Sequence, residues 1–211
     1  MAIALDAATV DQTANATSIT FSHTTTGSDR IIFVSASNFN TNGDLITGVT
    51  YGGVSMTLVG KQLDSTRYCY LFVLHAPASG ANDVVVSAST TTNLDVNAVS
   101  YTGAEQTSTV DSTVKAQTAS TSTTTMTTTT VADDCWLVAS MFINRNQTAS
   151  TGVVRDTAGP NLYIDSNASV GSAGSYSLVT TQSDSASRAY VIASFAPVAE
   201  ASTFVATMQI V

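Results

Sequence analysis

The sequence predicts an all-β fold, an antiparallel β-sandwich of jelly-roll type with no substantial helix, and three observations carry that expectation. First, of 211 residues 35 are Thr and 27 are Ser, whereas Lys and Glu number two each. Thr is β-branched and suits the pleated, half-buried positions of a sheet, while long helices draw on Lys and Glu. Second, short apolar runs separated by turn residues recur along the chain with no amphipathic helical pattern between them, which points to antiparallel sheets and away from βαβ units. Third, hydrophobic residues make up 44% of the chain, too many for disorder and enough for a core. Residues 1–198 are expected to form one domain, followed by an extended tail at 199–211.

Taken in order, the expected strands begin with Ser18–Phe21 and with Arg30–Ala36, the latter following the turn-forming Gly27-Ser28-Asp29. Ile46–Tyr51 and Ser55–Val59 flank Gly52-Gly53, whose access to positive φ marks a β-hairpin. Arg67–His75 stops before Pro77 and Ala189–Phe195 before Pro197, as expected where a strand leaves its ladder, because proline has no N–H to donate. Between these lie Asp83–Ala88, Leu94–Tyr101, Thr124–Val131, Cys135–Ile143, Gly152–Asp156 and Tyr176–Thr181, and the tail adds Thr203–Ile210. The Thr-rich stretch Ala116–Ala132 reads as a linker running into an exposed strand and is the natural boundary between two halves, 18–115 and 124–198. An internal echo connects those halves. The run from Thr25 to Val34 resembles that from Thr129 to Val138, and Arg67 to Pro77 resembles Arg188 to Pro197. Duplication produces such an echo, and so do two strands that hold equivalent places in opposing sheets.

Four runs, Ile31–Val34, Tyr68–Leu74, Leu137–Ile143 and Tyr190–Phe195, are apolar on both faces. A strand with one wet face should alternate, so these runs predict cover on the outer face, supplied by a neighbouring subunit unless interspersed Ala and Ser merely make that face mildly apolar. Cys69 and Cys135 lie in strand-like runs and read as two buried thiols in preference to a bridge between sheets.

A formal charge of -8, with seven Lys and Arg scattered singly, leaves no basic patch, so nucleic acid is not expected as a partner. No 18-residue apolar stretch is present to span a bilayer, and Met1–Asp6 lacks the basic start of an ordinary secretory leader. The supply of catalytic groups is small. The histidines are His23 and His75, the glutamates Glu105 and Glu200, and the one adjacent acidic pair is Asp133-Asp134 at the mouth of a strand. No G-x-S-x-G elbow accompanies them. The protein is therefore expected to be noncatalytic and to need no cofactor. Asn38-x-Asn40-x-Asn42-Gly43-Asp44 matches the first half of a calcium loop, but Val49 stands where a bidentate Glu belongs. It reads as a turn, with Asn38, Asn40, Asn42 and Asp44 the metal candidates that the sequence offers. Trp136 is expected in the core, and Tyr51, Tyr101, Tyr163 and Tyr176 near strand ends are candidates for stacking on a sugar.

The succession Thr26–Val34, Gly48–Val59 with its VTYGGV core, Tyr70–Gly80, Val84–Ser87 and Ala98–Ala104, continued by Asp133–Phe142 and Ser194–Pro197, resembles a β-sandwich domain that recurs in bacterial surface proteins and tailed-phage virion structural proteins. The resemblance covers most of residues 18–198 and transfers no site residues; here the domain makes up nearly the whole chain instead of one bead among many. It implies a noncatalytic structural protein of a bacteriophage virion, a capsid decoration or tail or fibre component. Such a protein would be assembled in the host cytoplasm and would associate with itself and with other virion proteins. The rival that it implies is an extracellular adhesin or carbohydrate-binding module with a surface glycan as partner. The charge-free tail fits assembly, with Phe204, Val205, Met208 and Ile210 expected to pair on a sheet edge unless the tail docks on its own domain.

Overall fold

Antiparallel pairing joins the named strands in the computed structural model, which describes residues 1–107, 110–143 and 148–199. No helix occurs among the described residues. The first sheet contains β1 (Ala4–Thr25), β2 (Ile31–Asn38), β3 (Ile46–Tyr51), β4 (Val54–Ser55), β5 (Thr57–Leu63), β6 (Tyr68–His75) and β7 (Gly80–Thr102). Its order is β4-β3-β7-β2-β6-β5, with β1 along the other edge of β7. The second sheet contains β8 (Ser112–Thr129), β9 (Trp136–Phe142), β10 (Thr148–Thr151), β11 (Val153–Ala158), β12 (Asn161–Asp165) and β13 (Ser175–Phe195). Its order is β10-β13-β9-β12-β11, with β8 along the other edge of β13.

With the two-residue β4 set aside, these are the same topology. In each sheet a long last strand, β7 or β13, pairs with the long first strand on one edge and with the second and third strands in succession on the other. The register agrees in detail: a bulge at Val59 in β5 has its counterpart at Arg155 in β11, and Asp29 and Asp134, at the same turn, have φ of 50° and 57°. The Thr25 and Thr129 echo matches this topology at the level of strands, because it equates β2 with β9, but it is one residue out of register, aligning Val34 with Val138 where pairing equates Val34 with Ala139. The Arg67 and Arg188 echo does not: it aligns β6 with β13, whereas pairing equates β6 with β12 and β7 with β13.

Strict alternation sorts each central strand between two cores. Ile31, Phe33, Leu71, Val99 and Tyr101 from the first sheet meet Trp136, Val138, Tyr163, Val191 and Phe195 from the second in a core between the sheets. The intervening residues Ile32, Val34, Tyr70, Phe72, Val96 and Ala98 pack with Val49, Tyr51, Met56, Val84 and Val86 inside the first sheet. Leu137, Ala139, Met141, Leu162, Ile164 and Ile192 do the same inside the second. Each sheet curls toward a barrel, so its own strands cover its second face. This corrects the expectation drawn from the doubly apolar runs: both faces are buried, as the pattern indicates, but the cover comes from the same chain and needs no neighbouring subunit. Cys69 and Cys135 are buried and unbridged.

Several strands are longer than expected. Ser18–Phe21 lies within a 22-residue strand that runs on to Thr25, Asp83–Ala88 and Leu94–Tyr101 join into the 23-residue β7, and Tyr176–Thr181 joins Ala189–Phe195 in the 21-residue β13. The supposed linker at Ala116–Ala132 is mostly β8, whose Thr124, Met126 and Thr128 point inward while Thr123, Thr125, Thr127 and Thr129 face water. Strands β10 and β12 were not expected at all.

Both units close with one device. The Asp6 carboxylate accepts hydrogen bonds from the Thr26 backbone N–H and hydroxyl and from Ser100 Oγ, the latter at 2.8 Å. Asp111 accepts from the Val131 and Ala132 backbone N–H groups and from Ser194 Oγ at 2.9, 2.9 and 2.8 Å. Each ties the first strand to the loop leading into the second strand and to the last strand. Burial alone would raise the Asp6 carboxyl, but the Thr26 and Ser100 donors outweigh it and hold it below its usual range. Since charge-assisted bonds contribute about 1.5–3 kcal/mol where shielded and less where wet, Asp6→Ala and Asp111→Ala are each expected to cost about 1–3 kcal/mol. Urea unfolding checks this, and a loss confined to one of the two variants would show that the clasps are not equivalent.

Candidate functional site between the two sheets

Polar side chains are expensive to bury unless partnered, so the polar cluster between these sheets stands apart from the apolar core around it. It is built by cross-strand register. Gln12, Asp95 and Ser37 form one row across β1, β7 and β2, and Asn97 and Ser35 sit side by side in the next row. Ser35 and Ser140 hold equivalent register positions in the two sheets, and their hydroxyls bond each other at 2.7 Å. Ser35 Oγ also donates to Asn161 Oδ1 at 2.8 Å, while Asn161 Nδ2 donates back to the Ser35 and Asp95 carbonyls at 3.0 and 3.2 Å. Asn97 Nδ2 donates to the Asn161 carbonyl at 3.3 Å. Asn161 therefore ties β12 to both β2 and β7.

The cluster leaves three oxygens over. Asp95 Oδ2, Asn97 Oδ1 and Ser37 Oγ are buried with no hydrogen-bond partner among the described residues. Asp95 is 5% exposed, and burial pushes its carboxyl up to about 7. Over it lies Gly159, in the tight turn between β11 and β12 with φ of +51°; a Cβ added there would stand 2.6 Å from Asp95 Oδ1 and 3.4 Å from Gln12 Oε1. The backbone of the second sheet thus closes on this carboxylate.

A second polar group occupies another part of the same interface. Arg155 donates from Nε to Asp165 Oδ2 at 2.7 Å and from Nη2 to Oδ1 at 2.8 Å. Tyr101 Oη adds a 2.6 Å bond to Asp165 Oδ2 and the Asn167 N–H a 2.9 Å bond to Oδ1, so all four acceptor positions of the buried carboxylate are filled. Burial, then the adjoining Tyr163 and the Asp165 charge, hold the Tyr101 phenol well above its usual range. It is a fixed donor.

The residues singled out from the sequence do not converge on one place. Asn38 donates to the Thr41 and Gly43 carbonyls, Asn40 Oδ1 accepts from Thr92 and Asn93, and Asp44 accepts from Tyr70 at 2.8 Å and pairs with Lys61. Asn42 is exposed. The oxygens of Asn40 and Asp44 are thus taken by separate protein donors, whereas Asn38 Oδ1 is buried with no hydrogen-bond partner among the described residues. Tyr51, Tyr101 and Tyr163 are buried and present no ring to a sugar, whereas Tyr176 is half-buried. Trp136 is in the core between the sheets. Phe204, Val205, Met208 and Ile210 lie outside the described residues.

His23 sits in a serine-containing chain whose order is wrong for hydrolysis. Ser100 Oγ donates to Asp6, His23 Nε2 bonds Ser100 Oγ at 3.0 Å, and His23 Nδ1 bonds Thr9 Oγ1 at 2.9 Å. Acyl-transfer chemistry needs the imidazole between carboxylate and serine, and here the serine lies between carboxylate and imidazole. All three bonds are structural. Asp133 accepts from the Ala173 N–H and Asp134 from Ser169, so the adjacent acidic pair holds turns together. His75 and Glu105 border a cleft of about 520 Å³ that also reaches Asp111, but that carboxylate already carries its three clasp bonds.

Asp95, Asn97, Ser37 and Asn161 are the site residues that the sequence did not reveal. The available signal was the alternation Asn93-Leu94-Asp95-Val96-Asn97, which reads as an outward polar face although Val99 and Tyr101, in phase with it, belong to the core. No protein-family model, curated protein or solved structure matches this chain.

Proposed function

We propose that this is a noncatalytic structural protein of a bacteriophage virion, a capsid decoration or tail or fibre component, folded as a jelly-roll-like β-sandwich and self-associating through its sheet edges. One observation carries the reading. The two longest first strands, β1 with 22 residues and β8 with 18, each pair with a single neighbouring strand among the described residues. A long edge is a template for strand addition unless charge or proline blunts it, and between them these strands carry Asp6, Asp11 and Lys115 as their charged residues. The outward threonines of β8 suit hydrogen bonding to a like surface. The resemblance of VTYGGV and its flanking runs to phage and bacterial surface domains adds the virion setting.

Light scattering at high concentration and co-sedimentation with phage particles test this. The expected result is a discrete oligomer that Thr125→Lys with Thr127→Lys reduces to monomer. A wild-type protein that stays monomeric and never sediments with particles would overturn the proposal.

A further inference from the structure

We infer that the oxygen cluster formed by Asp95, Asn97 and Ser37 beneath Gly159 binds a hard metal cation, Ca2+ or Na+. Three features meet there. Ser37 is directly opposite Asp95, and Asn97 is the next residue of β7 on the same face, so the three side chains spring from points roughly 5–8 Å apart. That spacing lets oxygens converge on one ion at about 2.3–2.6 Å. All three carry a buried oxygen that no described residue satisfies, and these oxygens are a carboxylate, an amide carbonyl and a hydroxyl, the donor types that hard cations prefer. Buried oxygens of this kind without partners are costly, and a cation satisfies all of them at once.

The surroundings agree in charge and in access. Asp95 is the carboxylate of the cluster, and its elevated pKa comes from burial, so a positive ion would restore the ionised form and displace the proton. Gln12, exposed and opposite Asp95 in the same row, brings its Oε1 beside the turn at Gly159, 3.4 Å from where a Cβ there would stand, and adds one more neutral oxygen on the solvent side. Gly159 itself has no side chain to fill the space, and any other residue would press on Asp95 Oδ1. With one carboxylate the site holds a single negative charge, which favours modest affinity and an ion that keeps some water.

The test uses the full chain stripped with chelator and then titrated with CaCl2, MgCl2 or NaCl at constant ionic strength set by choline chloride. The thermal midpoint should rise by about 5 °C or more with saturating Ca2+ or Na+, and calorimetry should show the matching binding isotherm. Asp95→Asn is nearly isosteric, removes a buried charge and is expected to fold; it should lose at least tenfold in affinity, and Asn97→Ala should lose a smaller factor. Asp44→Asn, in the Asn-rich loop, should bind like wild type. The inference fails if no cation shifts the midpoint, if the shift persists in Asp95→Asn, or if it disappears in Asp44→Asn instead.

Discussion

Arg155→Met should lower the unfolding free energy by about 3–5 kcal/mol, because it strands the Asp165 carboxylate in the core between the sheets without its cation. The Asp165 side chain is 0% exposed, and that of Arg155 only 12%. Tyr101 and the Asn167 N–H would remain as donors, but neither neutralises the charge. The protein contains its own control. By register Arg155 and Asp165 of β11 and β12 correspond to Val59 and Val73 of β5 and β6, so the first unit fills the same place with two valines. The double variant Arg155→Val with Asp165→Val, which copies that solution, should therefore recover most of the loss and unfold within about 2 kcal/mol of wild type. Tyr101 Oη would keep its 3.2 Å contact with Tyr163 Oη. Equal destabilisation of single and double variants, read from urea denaturation midpoints at constant slope, would show that packing of the arginine stem matters and the uncompensated charge does not.

That valine pair also shows why much of the architecture was legible in the sequence while its symmetry was not. Apolar runs at Ile31–Val34 and Leu137–Ile143 announced strands buried on both faces, and Gly52-Gly53 and the two Ala-Pro ends placed turns where they occur. What the residues could not show was which strand pairs with which. Equivalent strands share register, bulge position and the sign of φ, but their side chains differ: Val59 against Arg155, His23 against Thr128, Leu71 against Tyr163. The likeness of Arg67–Pro77 to Arg188–Pro197 is one of composition and so misaligned β6. The long strands were divided for a related reason. Thr90-Thr91-Thr92-Asn93 and Gln182-Ser183-Asp184-Ser185 interrupt the apolar pattern with polar residues, yet partners running alongside carry the strand through them, with shifts in register. The clustered oxygens of Asp95, Asn97 and Ser37 were hidden for the same cause, since a polar residue in an alternating strand looks solvated until the opposing sheet is placed over it.

The second large effect concerns pH. His23 is 1% exposed, and burial drives its imidazole down to about 4 even though the Asp6 charge pulls the other way. The folded protein thus keeps a neutral ring that the unfolded chain protonates below about 6.5. The contribution is fully present above that value and is lost as pH falls toward 4, amounting to roughly 3 kcal/mol over the interval. Asp95 acts in the opposite sense: its carboxyl, raised to about 7, holds a proton that the unfolded chain releases, so its contribution is lost as pH rises from about 3.9 to 7. In wild type the two slopes oppose each other across the shared range, and the stability curve is expected to be flatter there than either group alone would make it. His23→Gln keeps a donor and an acceptor for Ser100 and Thr9 but cannot take up a proton. Its stability relative to wild type should therefore improve by roughly 3 kcal/mol between pH 7 and pH 4. Parallel urea-unfolding curves for the two proteins across that range would show that His23 takes up its proton as readily folded as unfolded, and that the chain from Thr9 through His23 and Ser100 to Asp6 does not hold the ring neutral.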